Sequence, residues 1–224
     1  EVVGTTFIDD CQWNRLSEYT TNANFTHNSL TGEYNLLIPS GARYAIYPKN
    51  LGKLGNGSYS FTIKSNTTTV RRLGIQLFRK EQVSIDPYGT GTGYYLQITN
   101  DNMNITLTKT VNNVPVYVPG SVTLNIDTLT PRRIRLDIDG ITLKVYVDGT
   151  LRTTFTLDPT ILPGFFGFGT NWDTSAEVLW SISDIQIIAA SSDATNGIAA
   201  CIPPIGGGAR YGVEESVYIP ITPG

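Results

Sequence analysis

Apolar and polar residues alternate along most of this chain with a period of two, which is the signature of half-buried strands. In "GSYSFTIKS" (57–65), Tyr59, Phe61 and Ile63 share one face, and Ser60, Thr62 and Lys64 share the other. "GYYLQIT" (93–99), "NITLTKT" (104–110) and "SVTLNI" (121–126) read in the same way. The stretch "RRIRLDIDGITLKVYVDGTLRTTFTL" (132–157) predicts a three-stranded antiparallel meander. Ile134, Leu136 and Ile138 run into Asp139-Gly140. Ile141, Leu143, Val145 and Val147 then run into Asp148-Gly149, and a third strand follows through Leu151, Thr153 and Phe155. Asp-Gly tolerates the positive φ angles of a two-residue hairpin turn.

No window carries apolar residues at helical spacing between helix caps. "SAEVLWSISDIQIIAA" (175–190) is β-branched, and its alternation slips at Ser183-Asp184, which predicts a strand with a bulge there. Many short strands without helices predict an all-β fold, a sandwich of two antiparallel sheets. The pattern breaks after Ala189. Residues 191–224 read as a linker followed by a C-terminal strand extension, so the domain proper is residues 1–190. In "GVEESVYIPITPG" (212–224), Val217, Ile219 and Ile221 alternate with Tyr218 and Pro220.

Composition adds modest constraints. The 224 residues suffice for one large β domain, and a net charge of -3 gives no electrostatic case for nucleic acid. Polarity comes from 43 Ser and Thr and 16 Asn, residues suited to strands and turns. No apolar run approaches the roughly 20 residues of a membrane span. The start at Glu1 fits a mature form with its leader removed, and equally a fragment. Cys11 and Cys201 are the two cysteines. They are either buried thiols or a disulfide joining the ends of the patterned region. Their position at those ends favours the disulfide, and with it an extracellular or particle-surface location. Asn24, Asn56, Asn66 and Asn104 open Asn-X-Ser/Thr sequons and are candidate glycosylation sites, as in a glycoprotein.

The segment "IRLDIDGITLKVYVDGT", then "GFFGFGT", then "WSISDIQI" resembles the end of a laminin-G-like, concanavalin A-like jelly roll. "FIDDCQWNRL" (7–16) is similar to the first strand region of such domains. The resemblance spans about residues 5–190 and implies a jelly-roll sandwich. That superfamily includes lectins, carbohydrate-binding modules, glycosidases, adhesion domains and structural domains, so the fold does not choose a function.

Candidate chemistry is thin. Glycosidases of this fold present Glu-x-Asp-x-x-Glu on one strand, because two carboxylates must flank the scissile bond. None of the seven Glu residues lies in that pattern; Asp137 and Asp139 are two apart, but Asp139 belongs to the hairpin turn. The chain is therefore expected not to be an enzyme. His27, the single histidine, reads as a solvent-exposed loop residue and leaves no triad or His-rich metal site. No cofactor is expected, although Asp86, Asp101 or Asp173 offer oxygen ligands for a structural calcium ion. "DPYGTGTGYY" (86–95) lacks the following helix of a phosphate loop. Tyr88, Tyr94, Tyr95 and Trp172 are a candidate sugar platform, with Asn171 and Asp173 to fix hydroxyls.

The tail gives the preferred functional reading. It can fold back on its own sandwich, dock in irregular form, or complete a neighbour's sheet by strand donation. Two prolines and three successive glycines precede it, and the 23 peptide steps from Cys201 to Gly224 reach about 75 Å. The expectation is a structural subunit that forms a homo-oligomer or filament, donating a strand through Val213, Val217, Tyr218, Ile219 and Ile221. The alternative is a lectin-like module that binds glycans, with its tail folded back on its own domain.

Overall fold

The computed structural model describes residues 4–20, 24–38, 44–49, 51–67, 72–82, 90–170 and 178–191. They contain fourteen strands and one 3-10 turn, Leu16–Glu18. The strands are β1 (Gly4–Asp9), β2 (Phe25–Asn28), β3 (Glu33–Ile38), β4 (Ala45–Ile46), β5 (Leu54–Ser65), β6 (Arg72–Arg79) and β7 (Gly93–Thr99). They continue with β8 (Asn104–Val111), β9 (Val114–Thr123), β10 (Arg132–Asp139), β11 (Thr142–Val147), β12 (Thr150–Thr156), β13 (Phe165–Thr170) and β14 (Val178–Ser191).

Two antiparallel sheets form a sandwich. The larger runs β12-β11-β10-β5-β14-β3-β2, with β1 also on β14, and the smaller runs β4-β13-β6-β7-β8-β9. Their facing sides fill one core. Phe61, Ile63, Trp180, Ile187, Leu136 and Val145 come from the larger sheet, and Leu73, Ile75, Leu96, Ile98, Leu107 and Phe168 from the smaller. Aromatic edges lock the layers: Phe61 meets Phe168 with centroids 5.1 Å apart at 87°.

The bulge expected at Ser183-Asp184 is present. Asp184 has φ 49°, and the β14–β5 register shifts between Ser183 and Gln186. It moves the inward parity from Trp180 and Ile182 to Ile185, Ile187 and Ala189. The bulge is also a hand-over point, because β3 pairs with Val178–Ile182 and β1 with Ile185–Ala190 along the same edge of β14.

The 132–157 meander forms as β10, β11 and β12. Asp148 and Gly149, at φ 50° and 78°, make the type I′ turn that the sequence calls for. The first turn sits one residue later than expected. Asp139 pairs with Thr142, so Gly140 and Ile141 form the loop and Ile141 is exposed. Leu151 is exposed as well, because a register shift between Val145 and Tyr146 turns it outward.

Two further expectations are corrected. The strand read over 121–126 ends at Thr123 and begins at Val114, since the unpaired edge of β9 tolerates Pro115 and Pro119, which have no N–H to donate. His27 is not a solvent-exposed loop residue. It lies in β2, half-buried, with Nε2 donating to the Cys11 carbonyl at 2.7 Å and its ring centroid 5.4 Å from that of Tyr34.

Cys11 is a buried free thiol, which gives no support to the expected bridge; Cys201 lies outside the described residues. Burial and the neighbouring Asp9 carboxylate raise the Cys11 pKa, so the thiolate needed for oxidation or exchange is suppressed. Asp9 organises this corner. Its Oδ1 accepts from the Cys11 N–H at 2.9 Å, and its Oδ2 from the hydroxyls of Tyr34 at 2.9 Å and Tyr19 at 3.1 Å. Burial, with Asp9 adding to it, raises the pKa of both tyrosines and keeps them protonated donors.

Candidate functional site: the outer face of the smaller sheet

The two outer faces differ sharply in chemistry. On the larger sheet the outward groups satisfy one another. The Arg135 guanidinium lies 4.0 Å over the Tyr146 ring and pairs with Asp137 at 3.2 Å, while Ser58 donates to Asp137 at 2.8 Å. Asp137 is thus committed to structure, and Asp139 ends β10 at the hairpin.

On the smaller sheet strict alternation sends Leu73, Ile75 and Leu77 inward and Gly74 and Gln76 outward. Register extends this across the strands. One lateral row holds Gly167, Gln76, Tyr95, Thr108 and Tyr117, and the next holds Ala45, Gly169, Gly74, Gln97 and Thr106. A third row brings Arg79 beside Phe165 and Gly93, with Thr110 next across. The β6–β13 register shifts between Phe165 and Gly167, and this irregularity keeps Arg79 outward while Phe78, at φ 52°, joins the core.

This face is polar and almost without fixed charge. A Cβ at Gly74 would overlap the Tyr95 ring, and one at Gly167 would overlap Tyr47, so the glycines let both rings lie down on the sheet. Gln76 and Arg79 are each 0 % exposed. Yet both amide atoms of Gln76, the Nε and Nη1 of Arg79 and the hydroxyl of Thr106 are buried without a hydrogen-bond partner. Arg79 donates from Nη2 to the Thr90 carbonyl and bonds Tyr47; burial lowers its pKa. Five orphaned polar atoms in three adjacent rows are costly, since each has given up water without replacement. No Asp or Glu stands in these rows among the described residues.

The expected sugar platform is redistributed. Tyr94 and Tyr95 are consecutive in a strand and point to opposite faces. Tyr94 faces the core, where its hydroxyl accepts from the Asp158 N–H at 2.5 Å and burial pushes its pKa up to about 12. Tyr95 reaches the outer face, but it is buried and lies against Gly74 instead of standing as an exposed platform. Tyr88 and Trp172 lie outside the described residues, as do Asn171, Asp86, Asp173 and the whole segment 192–224 with Val213, Val217, Tyr218, Ile219 and Ile221. Among the described residues no group of three His, Cys, Asp or Glu could hold a metal ion, and no helix is long and apolar enough to cross a membrane.

Of the sequon asparagines, Asn56 and Asn66 are exposed and Asn24 is half-buried. Asn66 uses its Oδ1 to accept from the Leu179 N–H at 3.1 Å, and the Asn104 Nδ2 donates to Thr123 at 2.7 Å. Gln76, Arg79 and Thr106 were not singled out by sequence reasoning. The available signal was "RLGIQLFR" (72–79), where Gly74 and Gln76 alternate with three large aliphatic residues.

No protein-family model matches the chain, and no curated protein matches it. Solved structures do. A carbohydrate-binding module, CBM66, from Bacillus subtilis aligns with TM-score 0.57 and 15% identity, over 75% of this chain and 93% of that one. A legume lectin-like domain from Entamoeba histolytica gives TM-score 0.62 and 12% identity, over 79% and 92%. A Bacillus licheniformis beta-glucanase gives 0.57 and 15%, over 82% and 97%. At these identities the likeness shows the fold alone, a jelly-roll sandwich of two antiparallel sheets.

Proposed function

We propose that this chain is a non-catalytic, carbohydrate-binding module whose site is the outer face of the smaller sheet, and that it works outside the cell or on a particle surface. The observation that carries the reading is the set of orphaned polar atoms on Gln76, Arg79 and Thr106 beside the Tyr95 ring. A sugar hydroxyl both donates and accepts, so one polyol can satisfy an amide, a guanidinium and a hydroxyl together. The structural neighbours that are a carbohydrate-binding module and a lectin-like domain support the same reading. Glycoside hydrolysis needs paired carboxylates across the scissile bond, and the rows described here offer neither nucleophile nor general acid. The glucanase neighbours share a scaffold with this chain, and the absence of a carboxylate pair from these rows supports the non-catalytic reading. Self-assembly by strand donation draws no support from the described residues, because the donor segment lies outside them.

The test is a glycan array probed with the native chain, Gln76→Met and a surface control, Asp137→Asn. Methionine keeps the volume but removes both orphaned atoms, so the variant folds with unchanged or higher stability. The native chain and the control bind a common set of glycans, and Gln76→Met loses at least about tenfold, the value of one good hydrogen bond. Binding of no glycan by the native chain, or equal binding by Gln76→Met, would refute the proposal.

A further inference from the structure

A second concave site lies at the rim of the sandwich, away from the rows of Gln76 and Thr106. It is a groove of about 610 Å3 with Phe78, Ile161, Leu162 and Pro163 among its apolar walls and Lys53 and Lys80 as its charged groups. No carboxylate lines it among the described residues. Leu162 is 73 % exposed, and the Lys80 ammonium makes no ion pair among the described residues. Apolar walls with the Lys80 cation, and no carboxylate among the described lining residues, suit an occupant that is itself apolar and acidic.

The chain carries such a segment, and its last described strand ends beside the groove. Strand β14 ends with Ser191 paired to Leu54, the residue after Lys53. Gly55, next along, is flanked by groove wall and outgoing strand: a Cβ there would lie 3.3 Å from Pro163 Cγ and 3.7 Å from the Ala190 carbonyl oxygen. The polypeptide therefore leaves the sandwich beside the groove. Beyond Ser191 the sequence supplies a polar, glycine-rich stretch and then "GVEESVYIPI" (212–221), with Glu214 and Glu215 beside Val217, Ile219 and Ile221.

We propose that Val213–Ile221 of the same chain docks in this groove, its acidic pair meeting Lys53 and Lys80 and its alternating aliphatic residues covering Phe78, Ile161 and Pro163. A glycine-rich linker of the length of 192–212 has a root-mean-square span of about 25 Å as a random coil, and linkers of that span hold a tethered group at millimolar local concentration. That concentration favours docking within the chain over donation to a second copy, which such a linker also reaches. The inference is independent of the carbohydrate reading, since the groove shares no residue with the rows on the outer face.

Zero-length carbodiimide coupling tests it on the full-length chain. The reagent forms an amide bond only between an ammonium and a carboxylate already in contact, with loss of water. An equimolar mixture of natural-abundance and 15N-labelled protein is coupled, digested and weighed. Cross-links join Lys53 or Lys80 to Glu214 or Glu215, and every linked pair carries one isotope. Lys53→Glu with Lys80→Glu removes the hydrogen-exchange protection of residues 213–221, and adding Glu214→Lys with Glu215→Lys restores it. Mixed-isotope links would overturn docking within the chain and assign the segment to a second copy. Absence of links to either lysine, or protection that survives the charge reversal, would overturn the groove as its seat.

Discussion

Asp158 shows how one side chain can be tuned by its neighbours while remaining at the surface. Its carboxylate accepts from the Thr160 hydroxyl at 2.7 Å and N–H at 2.9 Å, and from the Lys109 ammonium at 3.0 Å. These bonds hold its pKa down at about 2. A depressed carboxylate pKa stabilises the fold above the ordinary range near 4, and that contribution is lost as pH falls from about 4 through 2. The native chain therefore loses stability across that window, and Asp158→Asn shows a smaller loss there; urea midpoints at pH 5, 3 and 2 measure it. At this scale little was legible in advance. Asp158 precedes a proline in an unremarkable loop, and its partner Lys109 lies 49 positions away. Asp9 likewise gathers Cys11, Tyr19 and Tyr34 through contacts that no local pattern encodes. Tyr94 and Tyr95 were visible as aromatic residues, but strand alternation separates them, and the sequence platform treated them as one surface.

The strands themselves were legible wherever one face is apolar. β5, β7, β8 and the meander of β10 to β12 follow the alternation closely, and the Ser183-Asp184 bulge was readable from its phase slip. β9 was misplaced because it is an exposed edge: Val114, Val116 and Tyr117 remain in solvent, and its prolines suit an unpaired side. β6 was overlooked although Leu73, Ile75 and Leu77 alternate with Gly74 and Gln76; what the alternation does not reveal is that its polar face is buried as well. The glycine on that strand yields a prediction. Gly74→Ala forces a methyl group into the Tyr95 ring, an overpacking that costs about 1–3 kcal/mol. The urea midpoint should fall accordingly, and an unchanged midpoint would mean that Tyr95 does not lie against the sheet.

For the whole molecule, the sandwich follows from patterning, whereas the site follows from topology. Gln76, Tyr95 and Thr106 come from three strands and meet only through the pairings of β6, β7 and β8. Nothing in a one-dimensional reading marks a glutamine as buried and without partners, so the chemistry becomes visible only once the register is known. Fold likeness leaves function open for the same reason: a glucanase and a lectin-like domain both align with this sandwich, so the fold by itself selects neither activity. The central claim is that this face receives a sugar through its orphaned polar atoms. Its most direct test is a side-chain amide NMR titration of the native chain with the best glycan from the array. The account predicts saturable shifts at the Gln76 and Gln97 side-chain amides, with the amides of Gln186 and Asn35 on the larger sheet unmoved. Unmoved Gln76 resonances under saturating glycan, or shifts clustered on the larger sheet, would contradict it.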